Sequence, residues 1–162
     1  MSGPLRLRAP SGAHFVLASA SPRRLDLLAR IGLTPDAVSP ADIDETPKPR
    51  ELPDAYAERV AWEKANTVAA AHPDAFILAA DTVVASGRRI LPKAESEAEA
   101  RKCLGHLSGR RHKVIGAIRL IAPGGETRCR IATTTVAFKR LTDMEIDSCL
   151  LYTSDAADDI RR

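Results

Sequence analysis

The chain has 162 residues, 44% hydrophobic and 28% charged, the composition of one globular domain with a core of its own. A net charge of +3 and an aromatic content of 4% supply neither the basic footprint nor the stacking platforms of a nucleic-acid binder. No apolar run reaches the length of a membrane span and the first residues lack the apolar stretch of a secretory signal; Cys103, Cys129 and Cys149 suggest neither a disulfide framework nor a zinc site, so a cytoplasmic protein with reduced thiols is expected.

In chain order, residues 1–14 read as a flexible leader. Phe15 to Ala18 form an apolar run expected to be a buried strand, and Ser21 then suits the N-cap of a helix with Pro22 at its first position. That helix is expected to run to about Ile31, with Leu25, Leu28 and Ile31 as its apolar stripe and Gly32 as its stop. Its free N–H groups, together with Arg23 and Arg24, would gather positive charge where phosphate oxygens are well held, although an ordinary capped surface helix has the same pattern. From Thr34 to Pro53 comes a Pro- and acid-rich loop with Asp42, Asp44 and Glu45, long enough to have a function.

From Asp54 to about Ala71 the spacing of Ala57, Val60, Ala61, Ala65, Val68 and Ala69 predicts an amphipathic helix, with Lys64 near the edge of its buried stripe and Pro73 as its stop. Phe76 to Ala80 reads as a central strand with Asp81 at its end, and Val83 to Ser86 as a separate short strand turning at Gly87. Ser96 and Glu99 make a capping box for a helix to about Leu107. Two long strands, His112 to Ala122 and Thr127 to Leu141, are joined by a Pro-Gly-Gly turn, and Thr142 with Glu145 opens a last helix. The order predicts an α/β domain with a mixed, twisted sheet and flanking helices.

Arg23 and Arg24, Glu45, Lys64, Asp81 and Lys93 make chemical sense if they share a cleft. Phosphoanhydride cleavage needs cations against the phosphates, a carboxylate-held divalent metal and a base for water, and this set supplies all three. Taken singly, each has an ordinary alternative: Asp81 capping a turn, Lys64 snorkelling from a helix edge, Glu45 as one more acid on a solvated loop.

The motifs Ser19-Ala-Ser-Pro-Arg-Arg24, Asp44-Glu45, Glu63-Lys64-Ala65, Ala80-Asp81-Thr82-Val-Val84, Lys93, and Ser108-Gly109 with His112-Lys-Val114 occur in one order. In them the chain resembles the Maf-like nucleotide pyrophosphatases, formerly described as septum formation inhibitors, over residues 15 to about 148. The resemblance implies a Maf/ITPase-like fold and hydrolysis of nucleoside triphosphates to the monophosphate and pyrophosphate with a divalent cation, Mg²⁺ or Mn²⁺. It implies that Asp81 is the proton acceptor and, with Glu45, a metal ligand. Arg23, Arg24, Lys64 and Lys93 would clamp the triphosphate, and Ser21, Thr82 and His112 would complete the substrate-binding set. Arg23 and Thr82 match the members that prefer dTTP and UTP. No nucleic-acid or membrane partner is implied, and members often look dimeric, so a homodimer is possible. The other readings are a non-catalytic protein that binds nucleotide or a division partner, and an inactive fragment of the enzyme.

The chain departs from the family pattern at Trp62, usually Arg, at Ala94, usually Pro, and at Gly116, where Thr is common and its hydroxyl contact would be lost. The larger departure lies at the end: residues 149–162 resemble translated adaptor read-through rather than native protein. The domain over residues 15–148 is therefore expected to be incomplete, with a catalytic lysine, a specificity glutamine and part of its sheet missing.

Overall fold

Buried and less buried residues alternate without a break from Phe76 to Ser86, and this long strand is the axis of the fold. The computed structural model describes residues 12–158, with side chains through Leu151. Most of the expected leader and residues 159–162 of the expected tail lie outside the described residues. The elements are β1 (Phe15–Ala18), α1 (Pro22–Arg30), β2 (Ala37–Val38), α2 (Pro53–Ala71), β3 (Phe76–Ser86), β4 (Arg89–Leu91), α3 (Glu97–Leu107), β5 (Arg111–Ile121), β6 (Thr127–Ala137) and α4 (Asp143–Asp158).

Among the described residues the strands form one six-stranded mixed sheet of order β2-β1-β3-β5-β6, with β4 added to β3. β1 runs parallel to β2 and β3, while β3, β5 and β6 are antiparallel neighbours and β4 is antiparallel to β3. The two strands expected at 76–80 and 83–86 are a single strand, because β5 continues the ladder from Ile77 through Ala85 and leaves no break at Asp81. On the other side, β3 is paired only in part. β1 accompanies it from Phe76 to Ala79 and β4 from Val84 to Ser86, so residues 80–83 face a gap between the two short strands.

β2 and β4, with two and three residues, were not expected. Each is ordered by a neighbouring edge rather than by a hydrophobic period of its own. β6 ends at Ala137 rather than Leu141, where the chain turns away and the Leu141 amide donates to Ser108 Oγ at 2.8 Å.

α2 covers one face of the sheet because small residues line its buried side. Ala57, Ala61 and Ala65 are wholly buried, as are Ala79, Ala85 and Ala117 of the sheet, with Val60 and Ile77 among the larger side chains between them. Helix ends follow local chemistry. α1 stops in a Schellman arrangement in which Gly32 takes φ of 76°, Leu33 N–H donates to Leu28 O at 2.9 Å and Gly32 N–H to Ala29 O at 3.0 Å. Ser96 caps α3, and Thr142 and Glu145 exchange the hydrogen bonds of a capping box at the start of α4. α3 and α4 pack on each other and are tied by the Arg101–Asp147 ion pair. The stripe expected for α1 is only partly buried: Leu28 is in the core, while Ile31 is 60% exposed.

Candidate functional site

The gap beside residues 80–83 of β3 is where the expected charges meet. Asp81 stands opposite Ala117 of β5 on the face beneath α2, and only 2% of it is exposed. Lys64 reaches it from α2, with Nζ 3.0 Å from Asp81 Oδ1. The loop before α2 brings Glu45, whose Oε1 lies 2.9 Å from the same Lys64 Nζ and whose Oε2 lies 2.9 Å from Lys93 Nζ. Lys93, Glu45, Lys64 and Asp81 thus form one chain of alternating charge running from solvent into the core.

A lysine and an aspartate this deep would each carry a desolvation penalty of several kcal/mol if alone, and each offsets the other. Burial pushes the Glu45 carboxyl upward, yet the hydrogen bonds and charges of Lys64 and Lys93 outweigh it and hold the group below its ordinary range.

The opening of α1 supplies the next cation. Arg24 Nη1 donates to Ser19 Oγ at 2.6 Å, and that buried hydroxyl also accepts from the Ser21 amide at 3.2 Å. Burial lowers the Arg24 pKa, Asp81 and Glu45 act to raise it, and neighbouring Arg23 lowers it further; the guanidinium therefore shares the field of the two carboxylates. Ser21 holds the N-cap position with extended backbone, but its hydroxyl makes no capping bond, so the serine that orients Arg24 is Ser19. Arg23 is exposed on the first turn of α1.

Two expected residues lie elsewhere. Thr82 is exposed and, because side chains alternate along a strand, points to the face opposite Asp81, across from Gly116. His112 shares that opposite face, where it is buried and meets the Phe138 ring edge-on at 4.9 Å. Neither joins the cluster around Asp81. Gly116 lies on the same far side, and a Cβ there would meet nothing within 4 Å, so the glycine removes no contact with Asp81 or Lys64. Trp62 is 47% exposed on the outer side of α2.

Sequence reasoning missed Ser19 and a support made by Tyr56, Arg59 and Glu51. Tyr56 Oη donates to the Glu45 carbonyl at 2.8 Å. Arg59 Nε and Nη2 donate to the two Glu51 carboxylate oxygens at 2.6 and 2.9 Å. The signal for Ser19 was its place directly after the buried strand. For the support it was the spacing of Tyr56, Arg59 and Glu63 along one side of α2.

Glu45 and Asp81 flank one ammonium, and the described residues hold no group of three or more His, Cys, Asp or Glu that would cage a metal alone. A pair of carboxylates suits Mg²⁺ or Mn²⁺ of the kind that completes its coordination with water and substrate phosphates.

The Maf-like protein family model matches residues 14–157 of this chain. The chain belongs to the Maf-like family. Among curated relatives, this Maf-like chain is 61% identical over 137 residues to the dTTP/UTP pyrophosphatase of Caulobacter vibrioides, covering 85% of this chain and 71% of that protein. It is 62% identical over 134 residues to the dTTP/UTP pyrophosphatase of Paramagnetospirillum magneticum, with 83% and 70% covered. Among solved structures, the Staphylococcus aureus Ham1 protein superposes with a TM-score of 0.53 at 20% identity, covering 75% of this chain and 69% of that one; the likeness is one of fold. No helix among the described residues is long and apolar enough to cross a membrane.

Proposed function

We propose that this Maf-like chain hydrolyses nucleoside triphosphates between the α and β phosphates, giving the nucleoside monophosphate and pyrophosphate, with dTTP and UTP preferred. The observation that carries the reading is the buried Lys64–Asp81 pair in line with Glu45 and Lys93 and in the field of Arg24. Such a row of cations and carboxylates answers the electrostatic demand of phosphoryl transfer, where charge spreads over oxygens with little covalent work for the protein.

In this reading Asp81 accepts the proton of the attacking water. Its neighbour Lys64 donates to Oδ1 at 3.0 Å and so fixes the direction of the carboxylate. Arg24, Lys64 and Lys93 bind the triphosphate, and exposed Arg23 extends the positive field toward solvent. Glu45 and Asp81 would hold the divalent cation, which when bound supplies Lewis-acid polarisation of a phosphate oxygen.

The pyrimidine preference is supported by the likeness to relatives named dTTP/UTP pyrophosphatase. Thr82 does not support it by direct contact, since its side chain lies across the sheet from Asp81. The substrate class fits an enzyme of the cytoplasmic nucleotide pool. The test is pyrophosphate release from dTTP, UTP, CTP, ATP and GTP with Mg²⁺ or Mn²⁺. Release from dTTP and UTP in excess of the purine nucleotides is expected. Nucleotide binding without any pyrophosphate would favour a non-catalytic binder instead.

A further inference from the structure

Glu45 belongs to a loop, yet its carboxylate meets two lysines from different elements at 2.9 Å each. An unsupported loop would not hold one carboxylate between two such partners, because side-chain and backbone freedom both oppose it. The loop is in fact fastened to α2 at several points. Arg59 forks onto Glu51 through Nε and Nη2, donates from Nη2 to the Thr46 carbonyl at 3.1 Å, and donates from Nη1 to Glu63 at 3.1 Å. The Arg59 and Glu51 side chains are only 15% and 10% exposed. Glu51 in turn accepts from the Lys48 amide at 2.9 Å and returns its own amide to the Lys48 carbonyl at 3.0 Å, closing the loop on itself.

One turn earlier on the helix, Tyr56 is buried, carries the Arg59 guanidinium 5.5 Å from its ring centroid, and donates its hydroxyl to the Glu45 carbonyl. Arg59 and Tyr56 therefore grip consecutive carbonyls, Glu45 and Thr46, from the helix that also presents Lys64. An arginine fork is suited to this because its planar donors fix direction as well as distance, which a lysine ammonium does not.

We propose that Arg59 and Tyr56 are positioning residues that lock the backbone at Glu45–Thr46 to α2, so that the Glu45 carboxylate is set between Lys64 and Lys93 before substrate and metal arrive. The proposal rests on the reading of Glu45 as a metal-binding residue of a pyrophosphatase site. Neither residue touches the reacting atoms.

The test uses the full 162-residue chain as wild type, Tyr56→Phe and Arg59→Lys, the first variant removing one hydroxyl and the second keeping the charge while losing the fork. Hydrogen exchange read by mass spectrometry on residues 44–51, with β3 as the internal reference, should be about tenfold faster in both variants while β3 is unchanged. Unaltered exchange over 44–51 in both would overturn the proposal. In pyrophosphate release, the Mg²⁺ concentration at half-saturation should rise about tenfold in Tyr56→Phe while KM for the nucleotide moves less than about twofold, since Arg24 and Lys64 are untouched. A lower kcat with unchanged Mg²⁺ dependence would make the two residues merely structural and would also overturn it. A wild-type chain that releases no pyrophosphate counts against the proposed reaction, and the exchange measurement then decides the lock by itself.

Discussion

Asp81 is almost wholly buried, and its Oδ1 is held by an ammonium that Glu45 also holds. Replacing it with asparagine keeps the volume and leaves Lys64 paired with Glu45, so no charge is stranded in the core. Asp81→Asn is therefore expected to fold, with a melting temperature within a few degrees of wild type, roughly the shift from about 1 kcal/mol. Pyrophosphate release should fall about 10²–10⁴-fold, the range lost with a general base. Lys64→Met is the contrasting case. It strands Asp81 without its partner and should cost about 3–5 kcal/mol by urea denaturation, the penalty for breaking a buried pair from one side.

Glu45 adds a pH dependence whose direction follows from its lowered pKa. Its ordinary value is 4.5, and burial, which raises it, is outweighed by Lys64 and Lys93. The unfolded chain binds this proton more readily than the folded one. The stabilisation from Glu45 is thus complete above its ordinary value and is lost as pH falls from there through the lower folded value. The urea midpoint of wild type should drop more than that of Glu45→Gln on acidification below that value. Parallel decline of the two proteins would show that Glu45 is not held by the lysines in solution.

At the scale of elements, α2 does two things at once. Its alanines let it lie close on β3 and β5, and the edge of that same buried side presents Tyr56 and Lys64, with Arg59 beside them, to the Glu45 loop and to Asp81. Close approach is a condition of the site, because the reach of Lys64 is set by the distance between helix and strand. Ala61→Leu should destabilise the fold by about 1–3 kcal/mol in chemical denaturation, as inserted methylenes do in a filled core. It should also lower activity by moving Lys64 relative to Asp81. β3 shows how neighbours define an element: its residues 76–80 and 83–86 read as separate strands, and only the continuous ladder with β5 joins them through a buried aspartate. A charge inside a strand is a poor local signal for continuity, since its compensation comes from α2, seventeen residues earlier in the chain.

At the scale of the whole molecule, the sheet has an open side among the described residues. β6 is the last strand in the order, most of its residues are exposed, and Ile131 on it and Ile118 on β5 are 42% and 47% exposed. Its outer edge, eleven residues long, has no partner strand among the described residues and is a template for pairing with a second strand. Concentration-dependent self-association is the expected outcome in light scattering. Ile131→Lys, which places a charge on that edge, should suppress it with a stability change within about 0.5 kcal/mol, as for a surface substitution. Association that persists unchanged in Ile131→Lys would locate the contact elsewhere.

The mixed α/β class, the four helices, the side-chain caps of α3 and α4, and the meeting of Arg24, Glu45, Lys64, Asp81 and Lys93 in one charged cluster were legible along the chain, because periodicity, capping residues and charge type are local properties. What lay beyond reach depended on facing and on neighbours. Thr82 and Asp81 are adjacent in sequence but on opposite faces of β3, a separation that follows once the strand is known to continue through them. The choice of Ser19 over Ser21 to hold Arg24 arises from where β1 ends against α1. The fastening of the Glu45 loop by Tyr56 and Arg59 exists only when residues 44–51 fold back along α2, since loop closure brings together groups that no local period relates.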